Sequence, residues 1–161
     1  MTIKTGDRLP DATFKRNNAG DITDVTTSEL CAGKKVVLFA VPGAFTPTCH
    51  AKHVPSYLQH YDALKAKGVD TIACIAVNDP FVMGEWAKAT GVADKIVMLS
   101  DGNAEFTRAI GLDFDGSGFK LGTRSKRYAM VVEDGVVTTL AVEEAPPMME
   151  VSGADHILAA L

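Results

Sequence analysis

The pattern of hydrophobic positions alternates between short apolar runs and longer amphipathic stretches. Two nearly continuous apolar runs, 36–41 and 71–77, are rich in β-branched residues, which is typical of strands buried on both faces of a parallel sheet. The stretch 46–67 between them predicts a helix, because it ends in a turn that carries two lysines and then Gly68. The pattern therefore predicts a strand–helix–strand unit with a right-handed crossover.

The second half of the chain continues this alternation and then becomes antiparallel. Asp134-Gly135 separates the apolar runs 128–133 and 136–140, which predicts a hairpin with a two-residue turn. The other predicted elements are a small hairpin around 17–20, a helix from Pro80 to about Gly91, a strand at 96–99 and a helix from 103 or 104 to 110. A last helix is predicted after Ser152, because the spacing from Ser152 to Asp155 resembles a capping box. A central mixed sheet flanked by helices, with a small N-terminal β-hairpin, is the layout of an α/β thioredoxin-like fold.

Composition narrows the class of protein. A length of 161 residues suits one domain over 1–161, and the values of 47% apolar and 22% charged residues are ordinary for a globular protein. The net charge of -4 argues against a nucleic-acid partner. The longest apolar run is too short to span a bilayer, and the first residues lead into no signal-peptide segment, so no membrane partner is expected and a cytoplasmic location is predicted.

The cysteines and histidines predict neither a metal site nor a cofactor site. Cys31, Cys49 and Cys74 form no CxxC pair and no zinc-ligand pattern, and an odd number of cysteines does not indicate a disulfide framework. The four histidines are scattered and include no HExxH motif. A mechanism without metal or cofactor is therefore expected.

Cys49 is the candidate nucleophile because of its predicted place at the start of a helix. Thr46 precedes Pro47, which favours Thr46 as the N-cap and places Cys49 at the third helical position. Unpaired N–H groups and the positive end of the helix dipole meet a side chain there, and they favour a thiolate over a thiol. The alternative is a purely structural, buried cysteine.

The segment Pro42-Gly43-Ala44-Phe45-Thr46-Pro47-Thr48-Cys49 closely resembles the Pro-x-x-x-Thr-x-x-Cys loop of peroxiredoxins. In detail it is similar to the peroxiredoxin-5 type, also called type II. The resemblance extends over nearly the whole chain and includes the blocks His53-Val54-Pro55, residues 77–83 and residues 122–135.

The resemblance implies that Cys49 is the peroxidatic cysteine, that Thr46 and Pro42 form its pocket, and that Arg127 lies beside the sulfur. These roles suit the chemistry, because a thiolate attacks one peroxide oxygen while donors stabilise the departing alkoxide. The planar guanidinium of Arg127 could favour the thiolate and donate to both oxygens. The Thr46 hydroxyl could cap the helix or accept a hydrogen bond from a peroxide oxygen, as serine could and valine could not.

The same resemblance implies a surrounding set of residues. Arg124, Gly43 and His53 would lie around this centre, with Arg124 holding either Arg127 or a carboxylate. Phe45 and Phe119 would line a pocket for apolar substrate tails. The resemblance also implies a homodimer built through the loops near the site.

His53 allows a different interpretation. It follows Cys49 by four residues on one helix face, so a Cys–His contact would suggest a cysteine hydrolase. A hydrolase also needs an orienting residue and an oxyanion hole, and no such signature surrounds Cys49. We therefore expect His53 to pack and hydrogen-bond locally.

Regeneration of the oxidised cysteine is left with two alternatives. Attack on peroxide produces a sulfenic acid, which must condense with a thiol. Residues 143–151 contain no cysteine, and Cys74, which some plant and bacterial type II members match, falls in the middle of a predicted strand, roughly 10 Å from the strand end. We expect an external thiol, either glutathione with glutaredoxin or thioredoxin, rather than an internal Cys49–Cys74 disulfide.

The predicted function is a thiol peroxidase that reduces hydrogen peroxide and organic hydroperoxides in antioxidant defence and cell redox homeostasis. The alternative is a redox-sensing or partner-binding thioredoxin-like domain in which Cys49 forms mixed disulfides with little turnover.

Overall fold

The computed structural model of the protein describes residues 2–161. Its strands are β1 (Thr13–Asn18), β2 (Asp21–Thr26), β3 (Lys35–Val41), β4 (Thr71–Ala76), β5 (Val97–Ser100), β6 (Asp113–Asp115), β7 (Thr123–Ser125), β8 (Tyr128–Glu133) and β9 (Val136–Val142). Its α-helices are α1 (Thr27–Cys31), α2 (Val54–Gln59), α3 (Tyr61–Ala66), α4 (Pro80–Thr90), α5 (Glu105–Ala109) and α6 (Ala154–Ala160). A π-helical turn, Cys49–His53, precedes α2, and a 3₁₀ turn, Ser117–Phe119, separates β6 from β7.

A seven-stranded mixed sheet runs through the molecule in the order β2-β1-β5-β4-β3-β8-β9. The central strands β3, β4 and β5 are parallel, and the strands on both sides of them pair antiparallel. The helices cover both faces, which explains why β3 and β4 are apolar almost throughout. The predicted thioredoxin-like arrangement is confirmed.

Both predicted hairpins form. Asp134 and Gly135 have φ of 49° and 80°, and Ala19 and Gly20 have φ of 53° and 99°, as expected for two-residue turns with both central residues in the left-handed region. The N-terminal hairpin does not stand apart from the sheet, because Lys15 of β1 pairs with Ser100 of β5.

The sheet separates two hydrophobic cores. One core contains Cys49, Cys74, Tyr57 and Trp86. The other is built around Phe14 and Phe106 and their aliphatic neighbours on the opposite face. Both sulfurs that matter for the predicted chemistry therefore lie on one side of the sheet.

The prediction of one continuous helix over 46–67 is wrong, because the helix is interrupted twice. Its first part contains the π turn, in which the N–H of Val54 donates to the carbonyl of Cys49. Pro55 explains the wider turn, because a proline ring inside a helix clashes with the carbonyl four residues earlier, here that of Ala51. A second interruption at His60 separates α2 from α3.

Two smaller differences concern the end of the chain and the loop before β8. The predicted capping box at Ser152 is wrong: Gly153 is the N-cap of α6, and the Ser152 hydroxyl donates to Glu143 instead. The short hairpin β6–β7 was not predicted, because strands of three residues carry too little alternation to detect.

Within residues 2–161, no helix has both the length and the apolar character needed to cross a membrane.

Candidate active site

Cys49 lies in the first helical turns after β3 and is 0% exposed. Its sulfur accepts a hydrogen bond from Nη2 of Arg127 at 3.0 Å. Arg127 directly precedes β8, which pairs with β3, so the sheet brings together two residues that are 78 positions apart in the chain. The predicted neighbours Cys49 and Arg127 are thus in contact in the structure.

Arg127 is held by three partners. Besides the Cys49 sulfur, Nε donates to the Pro146 carbonyl at 3.0 Å and Nη1 contacts Nδ1 of His53 at 2.9 Å. The arginine is only 2% exposed, and no carboxylate in residues 2–161 forms an ion pair with it. These contacts direct the buried guanidinium at the Cys49 sulfur, and no carboxylate in the described residues neutralises its charge.

His53 is a neutral bridge. Its Nε2 lies 3.0 Å from the Ser152 carbonyl, which can only accept, so Nε2 carries the proton and Nδ1 accepts from Arg127. Burial and the adjacent Arg127 charge lower the pKa of His53 to about 3. The expectation of local hydrogen bonding is wrong, because these partners are 74 and 99 residues away. His53 makes no hydrogen bond to Cys49, so the hydrolase arrangement is not formed.

Thr46 lies at the start of the helix, where its backbone carbonyl accepts a helical hydrogen bond but its hydroxyl does not cap the helix. The N–H of His50 donates to the Thr46 carbonyl at 2.9 Å, whereas the Thr46 hydroxyl donates to the Gly43 carbonyl at 2.7 Å. The predicted side-chain cap is therefore wrong. With its proton engaged by Gly43, the hydroxyl keeps lone pairs that can accept from a peroxide.

Arg124 supports the backbone beside Pro42 and Gly43. Its Nε donates to the Leu121 carbonyl at 2.9 Å and its Nη1 lies 3.4 Å from the Pro42 carbonyl. The expectation that Arg124 holds Arg127 or a carboxylate is wrong, since neither is among its partners. Gly43 allows this approach, because a Cβ there would lie 2.8 Å from Nη1 of Arg124.

A cavity of about 620 Å³ opens beside Thr46 and Arg127. Its lining is mostly apolar and comes from the loop around Pro42 and Thr46, the 114–121 loop and the prolines at 146–147, with Arg127 among its lining residues. Phe119 lines it and is 86% exposed. Cys49 lies one hydrogen bond beyond Arg127, so the cavity reaches close to the sulfur.

Phe45 does not line this cavity, which corrects the prediction for that residue. Its ring stacks on His50 with centroids 5.8 Å apart and contacts Trp86 at 6.4 Å. Phe45 adopts a positive φ of 65°, which turns the chain into the helix and directs the ring to the other side of the loop.

The other two cysteines are buried in different surroundings. Cys74 lies in the middle of β4, between Phe39 of β3 and Met98 of β5. Burial, and then the neighbouring Cys49 sulfur, raise the pKa of the Cys74 thiol well above its usual value. Cys31 is on the opposite core, where burial raises its pKa to about 11.

Sequence reasoning missed the residues that hold the site loops together. Thr48 donates to the Pro147 carbonyl at 3.0 Å, and the N–H of Ala44 donates to Asn78 at 2.9 Å. Glu143 accepts four hydrogen bonds from residues 150–152. An undistorted hairpin would place residue 142 opposite Arg127, but a bulge between Val131 and Val132 shifts the pairing by one residue and brings Glu143 there.

No group of three His, Cys, Asp or Glu side chains in residues 2–161 is arranged to hold a metal ion.

Comparisons with known proteins show what the chain as a whole is similar to. A family model described as Redoxin matches residues 4–158. Peroxiredoxin-2E, chloroplastic, from Arabidopsis thaliana is 48% identical over 162 residues, covering 98% of this chain and 69% of that protein. Peroxiredoxin-2F, mitochondrial, from the same plant is 47% identical over 131 residues, covering 81% of this chain and 65% of that protein. The crystal structure of reduced Prx3 in complex with H2O2 from Vibrio vulnificus matches with a TM-score of 0.92 and 54% identity, covering 99% of this chain and 96% of that chain.

These names contradict the predicted cytoplasmic location, because two similar proteins are named as chloroplastic and mitochondrial. The prediction relied on composition and on the first residues of the chain. Targeting segments are separate from the folded domain, so the composition of the domain does not report its compartment.

Proposed function

Because the chain belongs to the peroxiredoxin family of thiol peroxidases, we propose that Cys49 is its peroxidatic cysteine and that Arg127, Thr46 and Pro42 complete the active site. Peroxiredoxins act on hydroperoxides and are reduced by a thiol partner. The observation that carries the assignment is the buried Arg127 guanidinium, which has the Cys49 sulfur at 3.0 Å and no carboxylate partner in residues 2–161.

The proposed reaction begins with the Cys49 thiolate. It attacks the terminal oxygen of ROOH, and an S–O bond forms as the O–O bond breaks, which leaves Cys49 as a sulfenic acid. The departing RO⁻ takes a proton from water, releasing hydroxide, and leaves as ROH. Nη2 of Arg127 already points at the sulfur and can donate to the oxygens as charge develops on them. The Thr46 hydroxyl can accept from the peroxide, and buried Pro42 forms a wall that offers no N–H to water.

We propose hydrogen peroxide and organic hydroperoxides as substrates, and membership of the peroxiredoxin-5, or type II, subfamily. The apolar cavity beside Arg127 supports organic substrates, since it has room for a hydrocarbon tail near Phe119. The Pro42–Cys49 segment supports the subfamily. Both main cores draw on segments from across residues 2–161, which supports one domain.

We propose an external thiol as reductant, with glutathione and glutaredoxin favoured over thioredoxin. The sulfenic acid condenses with one thiol, releasing water and forming a mixed disulfide, and a second thiol displaces Cys49. Cys74 is a poor internal partner because it is buried in a central strand and its pKa is raised, so little thiolate is present. Mass spectrometry of peroxide-treated protein with glutathione should find Cys49 glutathionylated, and a Cys49–Cys74 bridge would contradict this proposal.

A homodimer is proposed through the loops near the site. Three exposed phenylalanines support it, because exposed large apolar side chains are typical of interfaces: Phe45, Phe119 and, in the first turn of α4, Phe81. Sedimentation of the purified chain should give the mass of two copies, and a monomer at all concentrations would contradict it.

The experiment that tests the enzymatic assignment is single-turnover oxidation of Cys49 by hydrogen peroxide. The wild-type rate should exceed that of a free thiol by orders of magnitude, and Arg127→Ala should lose this rate while remaining folded. Lys126→Ala is the matched control, since it removes one exposed positive charge from the neighbouring position. A wild-type rate near that of a free thiol would favour the redox-sensing alternative, and unchanged oxidation of Arg127→Ala would remove Arg127 from the mechanism.

A further inference from the structure

Glu143 is a buried carboxylate that follows β9 and is not used by the reaction as described above. It is only 6% exposed and forms no ion pair within residues 2–161. Instead, its two oxygens accept four hydrogen bonds from one short turn. The donors are Glu150 N at 3.0 Å, Val151 N at 2.9 Å, Ser152 N at 2.7 Å and Ser152 Oγ at 2.6 Å.

This arrangement fixes the orientation of Ser152, whose carbonyl faces the active site. That carbonyl accepts from Nε2 of His53 at 3.0 Å and from the Tyr57 hydroxyl at 2.7 Å. Both the N–H and the hydroxyl of Ser152 donate to Glu143. A rotation of Ser152 would therefore break these bonds as well as the bonds that its carbonyl accepts from His53 and Tyr57. Glu143 therefore determines where His53 finds its acceptor.

Residues 143–152 act on Arg127 in three ways, two of them direct and one through His53. His53 contacts Nη1 of Arg127, the Pro146 carbonyl accepts from Nε, and the Glu143 N–H donates to the Arg127 carbonyl at 2.9 Å. With Nε and Nη1 engaged, Nη2 is the nitrogen directed at Cys49. The planar guanidinium has a fixed geometry, so two anchored nitrogens define the position of the third.

We propose that Glu143 is a positioning residue for the peroxidase reaction: its carboxylate closes residues 143–152 into a loop that directs the guanidinium of Arg127 onto the sulfur of Cys49. This inference rests on the proposed roles of Cys49 and Arg127. Only an ionised carboxylate, which is acceptor-only, can receive all four donors. Burial tends to raise the pKa of Glu143, but the hydrogen bonds from Ser152, Glu150 and Val151 outweigh it and hold that pKa below its usual value.

Glu143→Gln is the direct test. The amide has nearly the same shape but presents N–H groups toward N–H donors, so the turn should shift. We expect single-turnover oxidation of Cys49 by hydrogen peroxide to slow by about tenfold to a hundredfold, the size of loss that a small misplacement of a catalytic group produces. Glu144→Gln is the matched control, because it removes the same charge from an exposed neighbour and should keep the wild-type rate.

Two readouts separate positioning from mere support of the fold. The pH profile of Cys49 alkylation by iodoacetamide should move to higher pH in Glu143→Gln, since the guanidinium no longer faces the sulfur. In an Arg127→Ala background, Glu143→Gln should cause no further loss of oxidation rate. Equal losses in both backgrounds, or a wild-type rate in Glu143→Gln, would overturn the inference.

Ser152→Ala provides a second variant if Glu143→Gln does not fold. It removes one of the four donors and keeps the three backbone ones, so it should slow oxidation by about twofold to tenfold, with the same dependence on Arg127. A folded Ser152→Ala with the wild-type rate would then overturn the inference. Failure of the proposed function is recognised separately, because the wild-type rate itself would then be near that of a free thiol, or Arg127→Ala would retain the wild-type rate.

Discussion

Replacing His53 by glutamine tests whether the histidine beside Arg127 is held neutral. The amide can donate to the Ser152 carbonyl and accept from Arg127, as the imidazole does, but it does not titrate. Burial and the Arg127 charge lower the pKa of His53 from 6.5 to about 3. Between these two values the unfolded chain binds a proton that the folded chain does not.

The sign and size of the effect follow from this difference. The contribution of His53 to the free energy of unfolding is fully present above pH 6.5 and is lost as the pH falls toward 3. Each pH unit within that window is worth about 1.4 kcal/mol, so lowering the pH from about 7.5 to about 5 should remove about 2 kcal/mol through His53 alone. Glutamine at position 53 should abolish that part of the pH dependence.

Urea denaturation of wild type and His53→Gln at the two pH values measures this directly. Other titrating groups, including Glu143, contribute equally to both proteins and cancel in the difference. His156→Gln is the matched control, since His156 is exposed and should leave the pH dependence as in wild type. If His53→Gln lost as much stability as wild type on acidification, the neutral, buried imidazole would be refuted.

Two further substitutions test the loop that precedes Cys49. Thr46→Val removes the hydroxyl of a cavity-lining residue and should slow peroxide oxidation of Cys49 by about a hundredfold. Thr46→Ser keeps a hydroxyl and should retain most of the rate. Equal rates for the two variants would exclude a role for the hydroxyl. Gly43→Ala places a Cβ 2.8 Å from Nη1 of Arg124 and 3.1 Å from Cγ2 of Thr46, so it should slow oxidation by about twofold to tenfold. That loss should shrink when Arg124 is first changed to alanine, and a wild-type rate in Gly43→Ala would contradict the crowding argument.

The elements of the fold could be predicted from the sequence because their signals are local. The apolar runs of β3 and β4, the Asp79-Pro80 start of α4 and the Asp134-Gly135 turn each specify an element within a few residues, and the observed bounds lie within two residues of those predicted. The spacing from Pro42 to Cys49 is local too, so the candidate nucleophile and its loop were recognisable from the chain alone.

The partners within the site were decided by the tertiary structure. His53 was expected to bond locally, yet its partners Arg127 and Ser152 are distant in the chain. The π turn before Pro55 and the bulge in β8–β9 each change a register by one residue, which moves a side chain to a different neighbour.

Phe45 shows the same limit, since its positive φ turns it away from the cavity that its place in the motif suggested. Periodicity reports which face of an element a residue occupies. The identity of a hydrogen-bond partner depends on how strands and loops far apart in sequence pack together, and that packing exists only in the folded chain.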